Sequence, residues 1–437
     1  MRVLILLAVA SLAGCLSDGP VPAPVAEEPA VGWIDVRAAP EGFAGSEVSM
    51  AVDPNDPLHV VASAHAGGFG VYESFDGGRT WQAERLTANG LLLADPQPGL
   101  AQIALSDPVV AFSPDGTLHI AGLAYIPTSS VFVATRTDGV WSASTVWQSE
   151  VGATMNDKEW LTVSPAGTLV AAWQSEPAMD QLRGVEQIID GQTGQRLDID
   201  VGHILVSRSS DGGATWSLPA LASTGLHNNG TQVAFDADGT GYLSWVDYEL
   251  PGIVLSTSHD DGATWSAPEQ VADLAIVGSY ANFGRMHTLP GMAVDNGTVY
   301  ITWHDARHGD ADILLAIGHD GDWTTHRVPV GEPGDGNVQL YPWVAADAGR
   351  AWVTYYSASN GTRDFTYLGS LWDGAFHAPE PVANATFQVF ADAVQGPADI
   401  GDYTATAARG GHFYAAWADP RSGDSFIHVA HRDTLKS

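Results

Sequence analysis

The chain spells nearly the same eight residues three times: SFDGGRTW at 74–81, SSDGGATW at 209–216 and SHDDGATW at 258–265. A short motif recurring at wide spacing marks one structural unit used repeatedly, and a repeat constrains the fold more than any single element. In S-x-D-x-G-x-T-W the Asp carboxylate can accept hydrogen bonds from turn amides, the Gly supplies a positive φ, and the Trp buries its ring between sheets. The octapeptide therefore pins a turn.

A second pattern is more frequent: an apolar strand, a tight turn, and a second apolar strand often ending in an aromatic. It occupies 49–65, 109–125, 160–176, 232–248, 291–305, 343–357 and 404–419. Its turns carry Gly, Asn, Asp or Pro, as antiparallel hairpins require. A third strand follows, as in GVYESF (70–75), HILVSRS (203–209), IVLSTS (253–258) and DILLAIG (312–318), and the octapeptide closes it onto a fourth. With 48 Gly and 25 Pro in 437 residues, the chain is too turn-rich for a helical protein, and its 45% hydrophobic content is ample for a large core. The expected fold is an all-β β-propeller of four-stranded antiparallel blades, seven in number, or six if one repeat is a decoration. The last repeat has strands at 402–408, 413–418 and 426–431 and no fourth, whereas GWIDVRA (32–38) has no blade. The N-terminal strand is predicted to complete the last blade, which hides an edge that would otherwise invite aggregation.

The start of the chain carries Arg2, an apolar run from Val3 to Ala13 and the sole cysteine, Cys15. The run is too short to span a bilayer and reads as an export signal. Leu12-Ala13-Gly14-Cys15 resembles the lipobox of prokaryotic lipoproteins, which implies cleavage before Cys15 and lipid on its thiol. The expected organisation is a signal over 1–14, a flexible tether rich in Pro, Ala and Glu over 15–31, and one propeller over 32–437. This places the protein outside the cell, anchored in the outer face of a prokaryotic cell membrane or in an outer membrane. With one cysteine, no disulfide forms within the chain.

The net charge is −33, from 51 acidic and 18 basic residues, and Lys158 and Lys436 are the only lysines. Nucleic acid is excluded as a partner, because phosphate binding needs a basic footprint. Such a surface suits high salt, where screening relieves self-repulsion, and calcium binding would also use such carboxylates. No motif demands a cofactor, and a monomer is expected. Sequons at Asn229, Asn296, Asn360 and Asn384 are candidate glycan acceptors, although three are Asn-Gly pairs that turn chemistry also explains.

If the octapeptide turns join strands three and four, they share a face with the turns joining strands one and two. Residues leading into strand one or leaving strand two then lie on the opposite face. The leading set is Asp107, Asp157, Lys158, Glu159, Asn229, Arg285, His287, Gln339, Tyr341, Asp402 and Tyr403, which ring the channel. The leaving set is His65, Tyr125, Glu176, Asp247, Glu249, His304, Asp305, Arg307, Asp419 and Arg421. Charged residues converging at a propeller mouth are the default binding site. Asp, Lys and Glu in NDKEW (156–160) would be costly before a buried strand without partners. WHDARHGD (303–310) and WADPRSGD (417–424) echo each other, which fits an ion pair between blades or a ligand site equally. Extra length at 87–104, 177–202 and 385–400 lies on the same face, as lids or binding walls do.

The three octapeptides resemble Asp-boxes, the BNR repeats of sialidases and related propellers, and RTDGVW (136–141) and GHDGDW (318–323) are looser copies. The resemblance implies the fold over most of 32–433. It also implies a sialidase-like glycoside hydrolase acting on sialylated or other acidic glycans, or a non-catalytic propeller binding glycan or protein. A sialidase needs guanidinium groups for the substrate carboxylate, a Tyr nucleophile activated by a Glu, and an acid. The resemblance would assign Arg285, Arg307 and Arg421 to the carboxylate, with Lys158 and Asp402 as further substrate contacts. Tyr341 or Tyr403 would pair with Glu159 as nucleophile, and Asp157 or Asp107 would be the acid. The family's Arg-Ile-Pro motif has no counterpart in SEVSMAVDP (46–54), which leaves another glycosidase, a lyase or a calcium site as alternatives.

Overall fold

The computed structural model describes residues 32–88, 91–92, 104–125, 129–149, 154–177, 185–189, 196–277, 287–319, 321–359, 362–389 and 398–434. The signal, Cys15, the tether, Arg285 and Asn360 lie outside the described residues. All described secondary structure is β, arranged as seven antiparallel four-stranded blades, one of which carries a short fifth strand at Phe387–Gln388, with two small extra hairpins. Blade 1 runs through Ser46–Asp53, Asp56–His65, Phe69–Ser74 and Gln82–Arg85. Blades 2 to 6 repeat that order over 104–148, 154–221, 228–273, 291–327 and 338–388. The first strand of every blade touches that of the next in cyclic order, and the seventh touches the first. This closes a seven-bladed propeller.

The closing strand is Ile34–Arg37, which pairs antiparallel with Phe426–Asp433 in the register Ile34↔His431 to Arg37↔His428. The last blade is thus built from both chain ends. Its first strand is Ala405–Arg409, so Asp402 and Tyr403 precede it in irregular backbone instead of lying within it. Asp35 fastens the joint. Its buried carboxylate accepts from His428 Nδ1 at 2.7 Å, from the Asn384 amide at 3.0 Å and from Arg421 at 3.3 Å. The length inserted at 177–202 contains a hairpin of Val185–Ile189 with Arg196–Asp200.

The octapeptides form the three-to-four turns as expected, with one network in all copies. In blade 4 the Ser258 hydroxyl donates to Asp260 at 2.9 Å and accepts the Gly262 N–H at 3.0 Å, while Asp260 takes the Thr264 amide and hydroxyl at 2.8 and 2.6 Å. Blades 1 and 3 repeat it through Ser74–Asp76–Thr80 and Ser209–Asp211–Thr215. Hydrogen bonds to the ionised form, from the Thr215 hydroxyl and amide first, hold Asp211 down at about 2. Trp81, Trp216 and Trp265 pack into the apolar layers between neighbouring sheets.

The Asp35 carboxyl lies below its usual 3.8: burial alone would raise it, but His428, Asn384 and Arg421 outweigh burial. Its stabilisation is therefore complete above about 3.8 and is lost as the pH falls through the lower folded value. Asp35→Ala strands the charges it neutralises and is expected to cost about 3–5 kcal/mol at neutral pH, read by chemical denaturation. An unchanged midpoint would contradict the clasp.

Candidate functional site

The side chains at the channel mouth are aimed by a repeated backbone irregularity. Register breaks interrupt the pairing of the first two strands at Ser46/Ser49, Ser106/Val109, Asp157/Trp160, Asn229/Gln232 and Leu340/Trp343. Each is a β-bulge whose first extra residue has a positive φ: Glu47 57°, Asp107 56°, Lys158 50°, Gly230 66° and Tyr341 51°. Four are not glycine, so the strain of roughly 1–3 kcal/mol per residue is held in place by the surrounding sheet. A bulge re-aims one side chain out of the alternating pattern, and here equivalent positions turn toward one axis. Neighbouring blades are stapled at the same level. The Thr231 hydroxyl donates to the Lys158 carbonyl at 2.7 Å, and the Thr404 hydroxyl donates to the Tyr341 carbonyl at 3.2 Å.

Lys158 is the centre of this ring. Its ammonium lies 3.2 Å from Asp107 of blade 2 and 3.1 Å from Asp402 of blade 7, and 5.7 Å from the Tyr403 ring centroid. Burial would lower the Lys158 pKa, but Asp107, Asp402, Asp157 and Glu47 hold the ammonium well above its usual value. Asp157 is pushed up to about 6, by burial first and by the charges of Asp107 and Asp402, against the pull of Lys158. Glu159 rises well above the usual carboxylate range, again by burial and then by Asp107. The shift favours the neutral, protonated carboxyl.

Asp107, Lys158, Glu159, Trp160, Trp343 and Tyr403 line one cavity of about 20 Å³, room for one or two waters. Apart from the contact of Glu159 with its own backbone amide, the Glu159 carboxyl oxygens and the Tyr403 hydroxyl are buried there with no hydrogen-bond partner among the described residues. Buried polar atoms left unpaired cost about 1–3 kcal/mol each, a cost that water or a polar ligand group in the cavity would remove. Trp160 and Trp343 form its apolar wall, with ring centroids 5.2 Å apart.

The other sequence candidates lie elsewhere. Tyr341 shares the bulge position but packs in the core beside Tyr356, at 6.3 Å between centroids, and does not line the cavity. Arg307 and Arg421 do not converge on the channel. Arg307 Nε donates to Asp305 at 2.8 Å and Arg421 pairs with Asp419, while Trp303 and Trp417 each donate to the same Asp at 3.0 Å. The echo between the two segments is an ion pair within each blade and not between blades, because each Arg folds back onto the Asp two residues before it. Asn229 is buried in its bulge, where its side chain accepts the Gly230 amide at 2.7 Å, so this sequon is closed to glycan in the folded protein. Among the described residues, no group of three or more His, Cys, Asp or Glu side chains is placed to hold a metal ion. Lys158 occupies the place between Asp107 and Asp402 where a cation would bind.

Sequence reasoning missed Glu47. It occupies the same bulge position in blade 1, is 6% exposed, and acts on both Lys158 and Tyr403. Aligning SEV (46–48) with SDP (106–108) and DKE (157–159) would have found it, since the repeat register puts Glu47 opposite Asp107 and Lys158. Gly401 permits the packing: at φ 71°, a Cβ there would fall 2.6 Å from Glu47 Cγ.

The sequence matches no protein-family model, and no curated protein is similar to it. Among solved structures, it is similar to a protein of unknown function from Dyadobacter fermentans, with 17% identity, a TM-score of 0.48, and coverage of 78% of this chain and 99% of that one. It is also similar to the Hadza microbial sialidase Hz136, with 13% identity, a TM-score of 0.45, and coverage of 92% and 95%. NanB sialidase from Streptococcus pneumoniae gives 12% identity, a TM-score of 0.43, and coverage of 92% and 70%. These likenesses concern the fold alone.

Replacing Lys158 with Met removes the charge that holds Asp157 down. Asp157 is then expected to titrate above about 6, followed through its carboxyl resonance by NMR. A shift downward would contradict the ion cluster.

Proposed function

We propose that the protein acts on glycans at this channel mouth, as a glycoside hydrolase in which Glu159 is the proton donor. The observation that carries the reading is the pair of unpartnered groups, the Glu159 carboxyl and the Tyr403 hydroxyl, in one cavity beside an ion cluster. Perturbed titrating groups in a cleft mark functional sites. Glycoside hydrolysis needs one carboxyl that keeps its proton and another that is ionised. Glu159 supplies the first. Asp157, ionised above about 6, supplies the second.

In the proposed reaction, the Glu159 proton passes to the glycosidic oxygen as the bond to the anomeric carbon breaks. Water adds to that carbon and gives its proton to Asp157. Tyr403 serves as a hydrogen-bond donor and not as a nucleophile, because burial, Asp107 and Glu47 push its phenol well above its usual value and oppose a phenolate. The sugar ring rests outside the cavity against Trp160, and only a substituent or the leaving oxygen enters. With Cys15 lipidated, the propeller would work at the cell surface as an anchored, exported protein.

A second reading is a propeller that binds glycan without cleaving it. The small cavity and the engagement of Arg307 and Arg421 with Asp305 and Asp419 favour it. The test is sugar release by the full-length protein from a panel of neutral, amino and sialylated glycosides. Release is expected to rise with pH through about 6 as Asp157 ionises, to fall at higher pH as Glu159 loses its proton, and to vanish in Glu159→Gln. Binding without release establishes the second reading; release that survives Glu159→Gln rules out Glu159 as the acid.

A further inference from the structure

We propose that the channel mouth selects a ligand group carrying an ammonium and rejects one carrying a carboxylate. The inference rests on the reading of this face as a glycan site and names the charge class of the sugar. Five carboxyl groups, on Glu47, Asp107, Asp157, Glu159 and Asp402, surround a single ammonium, and that ammonium is already committed to Asp107 and Asp402. The guanidinium groups of Arg307 and Arg421, on the same face, are committed to Asp305 and Asp419. A bound carboxylate would lose its hydration beside these acids, and among the described residues no guanidinium and no second ammonium lines the cavity to receive it.

The cavity is specific in the opposite sense. Glu159, 3% exposed, presents its carboxyl to a space of about 20 Å³, and once its proton leaves both oxygens are acceptors there. A primary ammonium is of that size and brings three donors, which match those oxygens. When it enters, Glu159 gives up its proton to solvent and the pair that remains is carboxylate and ammonium. Binding is thus linked to release of one proton, and affinity rises with pH. The groups facing Glu159 are Asp107 and Asp157, which hold its proton on, and Lys158, which opposes them. The ligand's ammonium adds to the Lys158 effect and tips the balance.

The test compares glucosamine, glucose and glucuronate, sugars that differ chiefly in charge, together with ethanolamine and glycolate, by calorimetry on the full-length protein. Glucosamine is expected to bind at least about tenfold more tightly than glucuronate at ~20 mM salt, with the ratio shrinking at ~0.5 M. Heats measured in buffers of different ionisation enthalpy should show proton release for both amines. Glu159→Gln should abolish that release, and Asp157→Asn should weaken amine binding while keeping it. Glucuronate binding as tightly as glucosamine, or glucose matching glucosamine, overturns the charge selection and leaves the glycan reading standing. Ethanolamine binding with no sugar of any charge bound supports the selection and overturns the glycan reading. No binding by any probe overturns both.

Discussion

One ammonium group organises the face of this propeller on which chemistry can occur. Lys158 stands in blade 3 and reaches Asp107 in blade 2 and Asp402 in blade 7, so a single side chain ties three blades together at the axis. Its partners are 5% and 1% exposed and Lys158 itself is 12% exposed, where ion pairs are screened far less than at an open surface. Without that charge the acids gathered at the mouth would repel one another with no compensation. With it, Asp107 and Asp402 are paired, and the rise that burial imposes on Asp157 and Glu159 is opposed.

The cluster exists because the backbone places it there. In an ideal strand, alternate residues would point to the two faces of each blade and none would project along the axis. The bulges break that alternation at one level of the ring, and the left-handed backbone at Glu47, Asp107, Lys158 and Tyr341 is the local cost. Neighbouring blades hold it through the threonine hydroxyls that bond to the carbonyls of Lys158 and Tyr341. Ile34–Arg37 completes the last blade at its outer edge, and the clasp at Asp35 fastens that edge to the rest of the blade.

Much of this was legible in the sequence, and the reasons differ by feature. The octapeptides revealed the blades because their hydrogen bonds are local: Ser, Asp and Thr within seven residues complete a turn by themselves. The unpaired first strand revealed the closure because an edge must be covered. The topology alone brought Asp107, Lys158, Glu159, Asp402 and Tyr403 to one mouth. Glu47 escaped because a glutamate with a positive φ looks like any other glutamate in its own segment, and only alignment with the repeats of blades 2 and 3 marks it. Arg307 and Arg421 looked like ligand contacts because sequence shows that an Arg follows an Asp by two residues, but not that the two are bonded. Protonation was hidden as well, since it depends on burial and on charges from other blades.

The account turns on Glu159 being a neutral acid in the resting protein. Infrared spectroscopy at neutral pH reads this directly, because a protonated carboxyl has a carbonyl band apart from those of ionised carboxylates. A protonated band that disappears in Glu159→Gln is the predicted result. A spectrum with carboxylate bands only, in which the substitution removes an ionised group, would contradict the proton donor and the amine-linked proton release together.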